Sequence, residues 1–156
     1  MVIDIMSRKS LEILSQTPFL LRTAIISICD YDDLPITLEH EPASILHLKF
    51  DDVDVDYITE RPWKSIPKIE RFLFEREYHM ISDTQAQEIA SFIMAQLPLV
   101  DRIICQCEYG QSRSAAIAAA ILEFTERKGL SVFIDDAYNP NKLVFRKVYE
   151  YLTCKL

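Results

Sequence analysis

The sequence predicts an α/β fold: a single domain, residues 1–156, with a central, mostly parallel sheet flanked by helices on both faces. Three observations predict it. Short runs rich in β-branched residues, Thr23-Ala24-Ile25-Ile26-Ser27-Ile28-Cys29 above all, read as strands buried on both sides. These runs alternate with segments of helical period, the ordering of a parallel sheet wrapped by helices. Near residue 107 a third apolar run ends in a tight loop with one of the two glycines, and an alanine-rich stretch follows that is apolar on every side. That is the order of a buried strand, a loop and a buried helix.

Taken in order, Val2 to Met6 reads as a short strand and Ser10 to Ser15 as a brief helix or turn. Thr23 to Cys29 is a central strand, broken by Asp30-Tyr31-Asp32-Asp33-Leu34-Pro35. Ile45 to Phe50 is the next strand, between Pro42 and a run of acids. Tyr57 to Met80 is the most basic and aromatic part of the chain. It reads either as a loop and short helix with Ile66, Ile69, Phe72 and Leu73 as its apolar stripe, or as a flap over the site. Ser82-Asp83-Thr84-Gln85 is a capping box that opens a helix to about Gln96, with Ala86, Ile89, Phe92, Ile93 and Leu97 on one face and Pro98 ending it. Val100 to Gln106 is the strand into the loop. The helix after Arg113 runs to about Lys128, with Gly129 as its C-terminal signal. Ser131 to Tyr138 reads as a short helix, and Asn139-Pro140-Asn141 opens the last one, Lys142 to Leu152.

The loop Cys107-Glu108-Tyr109-Gly110-Gln111-Ser112-Arg113-Ser114 carries the chemistry. A glycine-containing loop of this kind can turn the N–H groups of Glu108 to Arg113 inward as an anion-binding nest. The N-terminus of the following helix adds its positive dipole end, and Arg113 adds a planar fork that matches two oxygens of a phosphate. The same donors favour a thiolate at Cys107. A second cluster, Asp51, Asp52, Asp54 and Asp56, follows a strand end, where ligands of open parallel sheets gather.

The loop resembles the signature of the cysteine-dependent protein tyrosine phosphatases, Cys-x5-Arg followed by Ser or Thr. It is most similar to that of the small dual-specificity branch, Cys-x-x-Gly-x-x-Arg-Ser. Cys107, Gly110, Arg113 and Ser114 all match. The resemblance implies a phosphate monoester hydrolase working through a phosphocysteine, with no metal or cofactor. Cys107 would be the nucleophile, and Ser114 would donate to its sulfur. Glu108, Tyr109, Gly110, Gln111, Ser112 and Arg113 would hold the phosphoryl group. The family's general acid lies on the loop after a strand such as Ile45 to Phe50. Aligning the strand ends puts Asp52 in that role, with Asp51 and Asp54 as alternatives. Gln106 departs from the family, which usually has His before the nucleophile, and this bears on how the loop is held. The loop has Glu108 and no Lys, unlike members that act on inositol lipids or RNA ends. That favours a phosphorylated protein, on tyrosine or on serine and threonine, or a small phosphomonoester.

Composition sets further bounds. A net charge of −7 argues against a nucleic-acid partner and against anionic membrane lipids. Four cysteines, two of them as Cys105-Gln106-Cys107, form neither a disulfide framework nor a complete metal site. Asp4 interrupts the first apolar residues, so no secretory leader is read and a cytoplasmic location is expected. Two other functions fit a cysteine loop: a phosphate-binding pseudophosphatase, for which Gln106 speaks, and a rhodanese-like sulfurtransferase or arsenate reductase. Low-molecular-weight phosphatases and related arsenate reductases carry the loop near the N-terminus, and here it lies at position 107. Cys29, ending a strand at the same sheet edge, is a candidate to trap an oxidised Cys107 as a disulfide. Cys105 is less suited, because residues i and i+2 of a strand stand roughly 6.5–7 Å apart.

Overall fold

The β-branched runs become four strands: β1 (Val2–Ser7), β2 (Thr23–Cys29), β3 (Ser44–Lys49) and β4 (Arg102–Cys107). All pair in parallel, in the order β1-β4-β2-β3. This computed structural model describes residues 1–54 and 59–154. The two inner strands carry the most apolar sequences. Every residue of β2 is buried, and in β4 all but Arg102 are. The register places Ile26 beside Cys105 and Ser27 beside Gln106. Because strand side chains alternate, Ile26, Ile28, Ile103, Cys105 and Cys107 share one face, and Ile25, Ser27, Cys29, Ile104 and Gln106 the other.

Helices cover both faces, as the sequence predicts. On the first face lie α3 (Asp83–Gln96), α4 (Arg113–Glu126) and α6 (Lys142–Thr153). The short α1 (Arg8–Leu14) covers the second, where Leu11 packs with Ile25, Ile36 and Ile104. Arg113 through Ile121 are all buried in α4, the property of a helix enclosed on every side. Its alanines let β4 and α6 approach closely, and burial of Ile117 and Ile121 contributes about 1.5–3 kcal/mol each. The capping box of α3 forms in both directions: Gln85 N donates to Ser82 Oγ (3.1 Å) and Ser82 N to Gln85 Oε1 (3.0 Å).

Three expectations change. The segment after residue 57 does form a helix, α2 (Lys68–Tyr78), behind a 3-10 turn at Trp63–Ser65. Yet Ile69, Phe72 and Leu73 face solvent, at 69%, 52% and 55% exposure. The segment is instead anchored by Trp63 and Ile66 ahead of the helix, both buried, and by an ion pair from Glu75 to Lys147 of α6. Gly129 does not cap α4. The left-handed position is Arg127 (φ 59°), and Gly129 has an ordinary φ of −56°. It is needed for space: a Cβ there would lie 2.6 Å from Ala119 O and 2.7 Å from Glu123 Cβ. The helix expected over Ser131 to Tyr138 shortens to α5 (Leu130–Ile134), because Asp135 turns the chain by accepting from Ala137 N (2.9 Å).

Candidate active site

Cys107 ends β4 and is buried, and its Sγ lies 3.0 Å from Ser114 Oγ in the first turn of α4. The loop between them presses on the end of β1. Gly110 has φ +66°, and a Cβ there would meet Ser7 N at 2.6 Å and the Met6 carbonyl carbon at 2.7 Å, so only glycine fits. Arg8 N donates to Glu108 O (3.1 Å) and fastens the start of the loop to the β1–α1 junction. The helix that follows has no side-chain cap. Its N-cap residue, Ser112, donates its hydroxyl to Asp52 Oδ1 instead (2.8 Å). The N–H groups of the first turn therefore gain no partner from the cap, an arrangement that favours an anion.

Arg113 is buried at the head of α4. Among the described residues, Nη1 donates to Phe50 O (2.7 Å) and pairs with Asp30 Oδ1 (2.7 Å). Its Nε is buried and has no hydrogen-bond partner among the described residues. A buried donor without an acceptor costs free energy, and an oxyanion in the loop would satisfy it. Gln106 sits on the other sheet face. Its Oε1 accepts from Ser27 Oγ (2.5 Å) and its Nε2 donates to Cys107 O (2.9 Å). The residue that departs from the phosphatase pattern thus holds the backbone of Cys107 through an amide bonded at both its oxygen and its nitrogen.

The acids separate by what they touch. Asp51 Oδ1 accepts from Tyr31 N (2.8 Å), and Asp54 Oδ2 accepts from Lys142 N (3.0 Å) at the start of α6. Asp52 bonds to the thiol loop, accepting from Ser112 Oγ (2.8 Å). Asp56 lies outside the described residues. Asp52 Oδ1 also accepts from Asn141 Nδ2 (2.9 Å), and Asn141 is buried. The same amide donates to Val53 O (3.2 Å), while Asn141 Oδ1 caps α6 by accepting from Val144 N (3.0 Å). Asn139 N and Asn141 N donate to Gln111 O (2.9 Å) and Ser112 O (3.2 Å), so the approach to α6 is stitched to the thiol loop. Sequence reasoning reads Asn141 only as a helix opener and passes over Asp30. A cap uses one acceptor of an amide, and nothing in the sequence says where the two donors go.

The remaining loop residues form the rim. Tyr109 is 79% exposed, Gln111 is exposed and Glu108 is half-buried. Among the other thiols, burial pushes Cys29 up, with Lys49 pulling it partly back. Burial pushes Cys105 far up, with Cys107 and Asp4 adding to the shift. Strand alternation puts Cys29 and Cys107 on opposite faces of the sheet.

No family model matches the chain, and no curated protein matches it by sequence. Among solved structures it is similar to a mouse chain named as a candidate dual specificity phosphatase and complexed with zinc tungstate. That pair has 13% identity over 97% of this chain and 82% of the other, with a TM-score of 0.54. It is also similar to human DUSP28, at 10% identity over 98% and 92% of the two chains with a TM-score of 0.53. PTPMT1 in complex with PI(5)P gives 10% identity over 99% and 94% with a TM-score of 0.51. At these identities the likeness is one of fold: the chain shares the fold of these solved phosphatase chains.

Proposed function

We propose that this chain, built on the dual-specificity phosphatase fold, hydrolyses phosphomonoesters through a phosphocysteine. The observation that carries this reading is Arg113, a buried guanidinium at the head of the helix that follows the Cys107 loop, its Nε unpartnered among the described residues. The Cys107 thiolate attacks phosphorus, an S–P bond forms, and the bond to the leaving oxygen breaks. Asp52 gives that oxygen its proton. The loop N–H groups and Arg113 hold the equatorial oxygens as charge shifts onto them. In the second step water attacks the phosphocysteine, Asp52 takes a proton from it, and the S–P bond breaks. Ser114 donates to the departing sulfur, and inorganic phosphate leaves.

The substrate read from the loop is a phosphorylated protein or a small phosphomonoester. Glu108 beside the loop disfavours the multiply charged headgroup of an inositol lipid such as the one bound to PTPMT1. Purified protein is expected to hydrolyse p-nitrophenyl phosphate in EDTA. Cys107→Ser should lose turnover and keep phosphate or vanadate binding. Full activity in Cys107→Ser overturns the mechanism. Binding without any turnover in the native chain would leave a pseudophosphatase, and turnover of thiosulfate would point to a sulfurtransferase.

A further inference from the structure

We propose that the cleft between the Trp63–α2 segment and α6 is a second anion site, built to take a phosphoryl group carried by a protein segment. The cleft encloses about 420 Å³, a size usual for small-ligand sites. Five of its lining side chains are cationic, Lys64, Lys68, Arg71, Arg146 and Lys147, against two acids, Asp83 and Glu150. This imbalance stands on a chain of net charge −7. Lys147 is committed to Glu75 and Asp83. The other four form no ion pair among the described residues.

Arg71 supplies an independent sign. Its Nε is buried and has no hydrogen-bond partner, the state shared among the described side chains only by Arg113 in the thiol loop. Lys68 and Arg71 stand three residues apart on α2, and so on one face of the helix. Arg71 can offer a planar two-donor edge, with the lysines as point charges around it. Four uncommitted cations exceed what one carboxylate calls for and suit a dianion. The site is distinct from the Cys107 loop. Arg146 lies five residues into α6 from Asn141, about 7.5 Å along the axis, and Glu150 about 13.5 Å. An anionic membrane is the less favoured source of the phosphoryl group, since the whole chain is repelled by such a surface.

The cleft holds its own reporter, because Trp63 is the only tryptophan and lines it. Inorganic phosphate, titrated at constant ionic strength against chloride, should change Trp63 emission saturably in the Arg113→Ala chain, where the thiol loop is disabled. A short phosphoserine peptide should do the same. Arg71→Gln/Arg146→Gln should weaken both responses at least tenfold. Lys64→Gln/Lys68→Gln, at two exposed positions, should do so too if the first pair disturbs folding. Hydrolysis of p-nitrophenyl phosphate by these variants with Arg113 intact should be unchanged. A response no different from chloride, or one that survives both double variants, overturns the proposal. So does capture by phosphatidylcholine vesicles containing a phosphoinositide that depends on Lys64 and Lys68 while the peptide gives no response. A phosphate response in a chain that hydrolyses nothing would sink the phosphatase reading and leave the cleft standing.

Discussion

Arg113 is held through Nη1 by Phe50 O and Asp30, and its Nε edge is left for a ligand. A lysine at this position keeps a charge but has no second nitrogen to divide between protein and phosphate. Arg113→Lys is therefore expected to lose kcat/KM almost as far as Arg113→Ala, by about 3 kcal/mol, as when an oxyanion donor is removed. Near-native kinetics in Arg113→Lys would show that only diffuse charge matters. The acids yield a sharper test. Asp52→Asn should slow phenyl phosphate by about 100-fold or more and p-nitrophenyl phosphate by less, since the better leaving group needs less protonation. Asp51→Asn and Asp54→Asn, whose carboxylates serve backbone N–H groups, should show no such leaving-group dependence. Asn141→Ser belongs to the same experiment. Serine still caps α6, but it loses the amide donors to Asp52 and Val53 O. The denaturation midpoint should hold while phenyl phosphate turnover falls about tenfold. A parallel loss of stability and activity would mean that the amide donors of Asn141 hold the fold together and do not position Asp52 in particular.

At the scale of the element, the alternation of β2 and β4 decides which thiols can meet. Cys107 belongs with Ile26, Ile28 and Cys105, and Cys29 with Ser27 and Gln106. Burial also keeps the Cys29 thiolate scarce near neutral pH. Mild peroxide is therefore expected to leave Cys107 as sulfenic or sulfinic acid, with Cys29 and Cys105 recovered as free thiols on peptide mapping. A Cys29–Cys107 disulfide would mean that the sheet edge opens far enough to bring opposite faces together.

At the scale of the whole molecule, Lys147 joins three elements. Its buried ammonium meets Glu75 of α2, Asp83 Oδ1 of α3 (3.1 Å) and Ile81 O (3.0 Å), and lies 5.3 Å from the centre of the Trp63 ring. This cluster docks the Trp63–α2 segment, whose own helix buries no residue. Lys147→Met leaves Glu75 enclosed without its cation, a loss of about 3–5 kcal/mol. Urea unfolding should show it as a lower midpoint, and Lys147→Met/Glu75→Gln should recover part of the difference. A Lys147→Met chain as stable as the native one would mean that α2 is held by its apolar anchors alone.

The sequence by itself determined the parallel α/β class, the strand–loop–helix around Cys107 and the capping box of α3. In each case the signal is local: β-branched runs, a glycine-containing loop before an alanine-rich run, a Ser–Gln pair three residues apart. Strand-end alignment with the resembling family picked Asp52 from the acidic run, with Asp51 and Asp54 as alternatives, but the contact of Asp52 with Ser112, 60 residues away, could not be read from local sequence. The same limit hid the second use of Asn141, the Asp30–Arg113 pair and the four cations that share the Trp63 cleft. It also misjudged α2, where helical spacing marks Ile69, Phe72 and Leu73 as a buried stripe. Periodicity tells which residues share a face, while the direction of that face was decided by Trp63, Ile66 and the Glu75–Lys147 pair, contacts that exist only once α6 is in place.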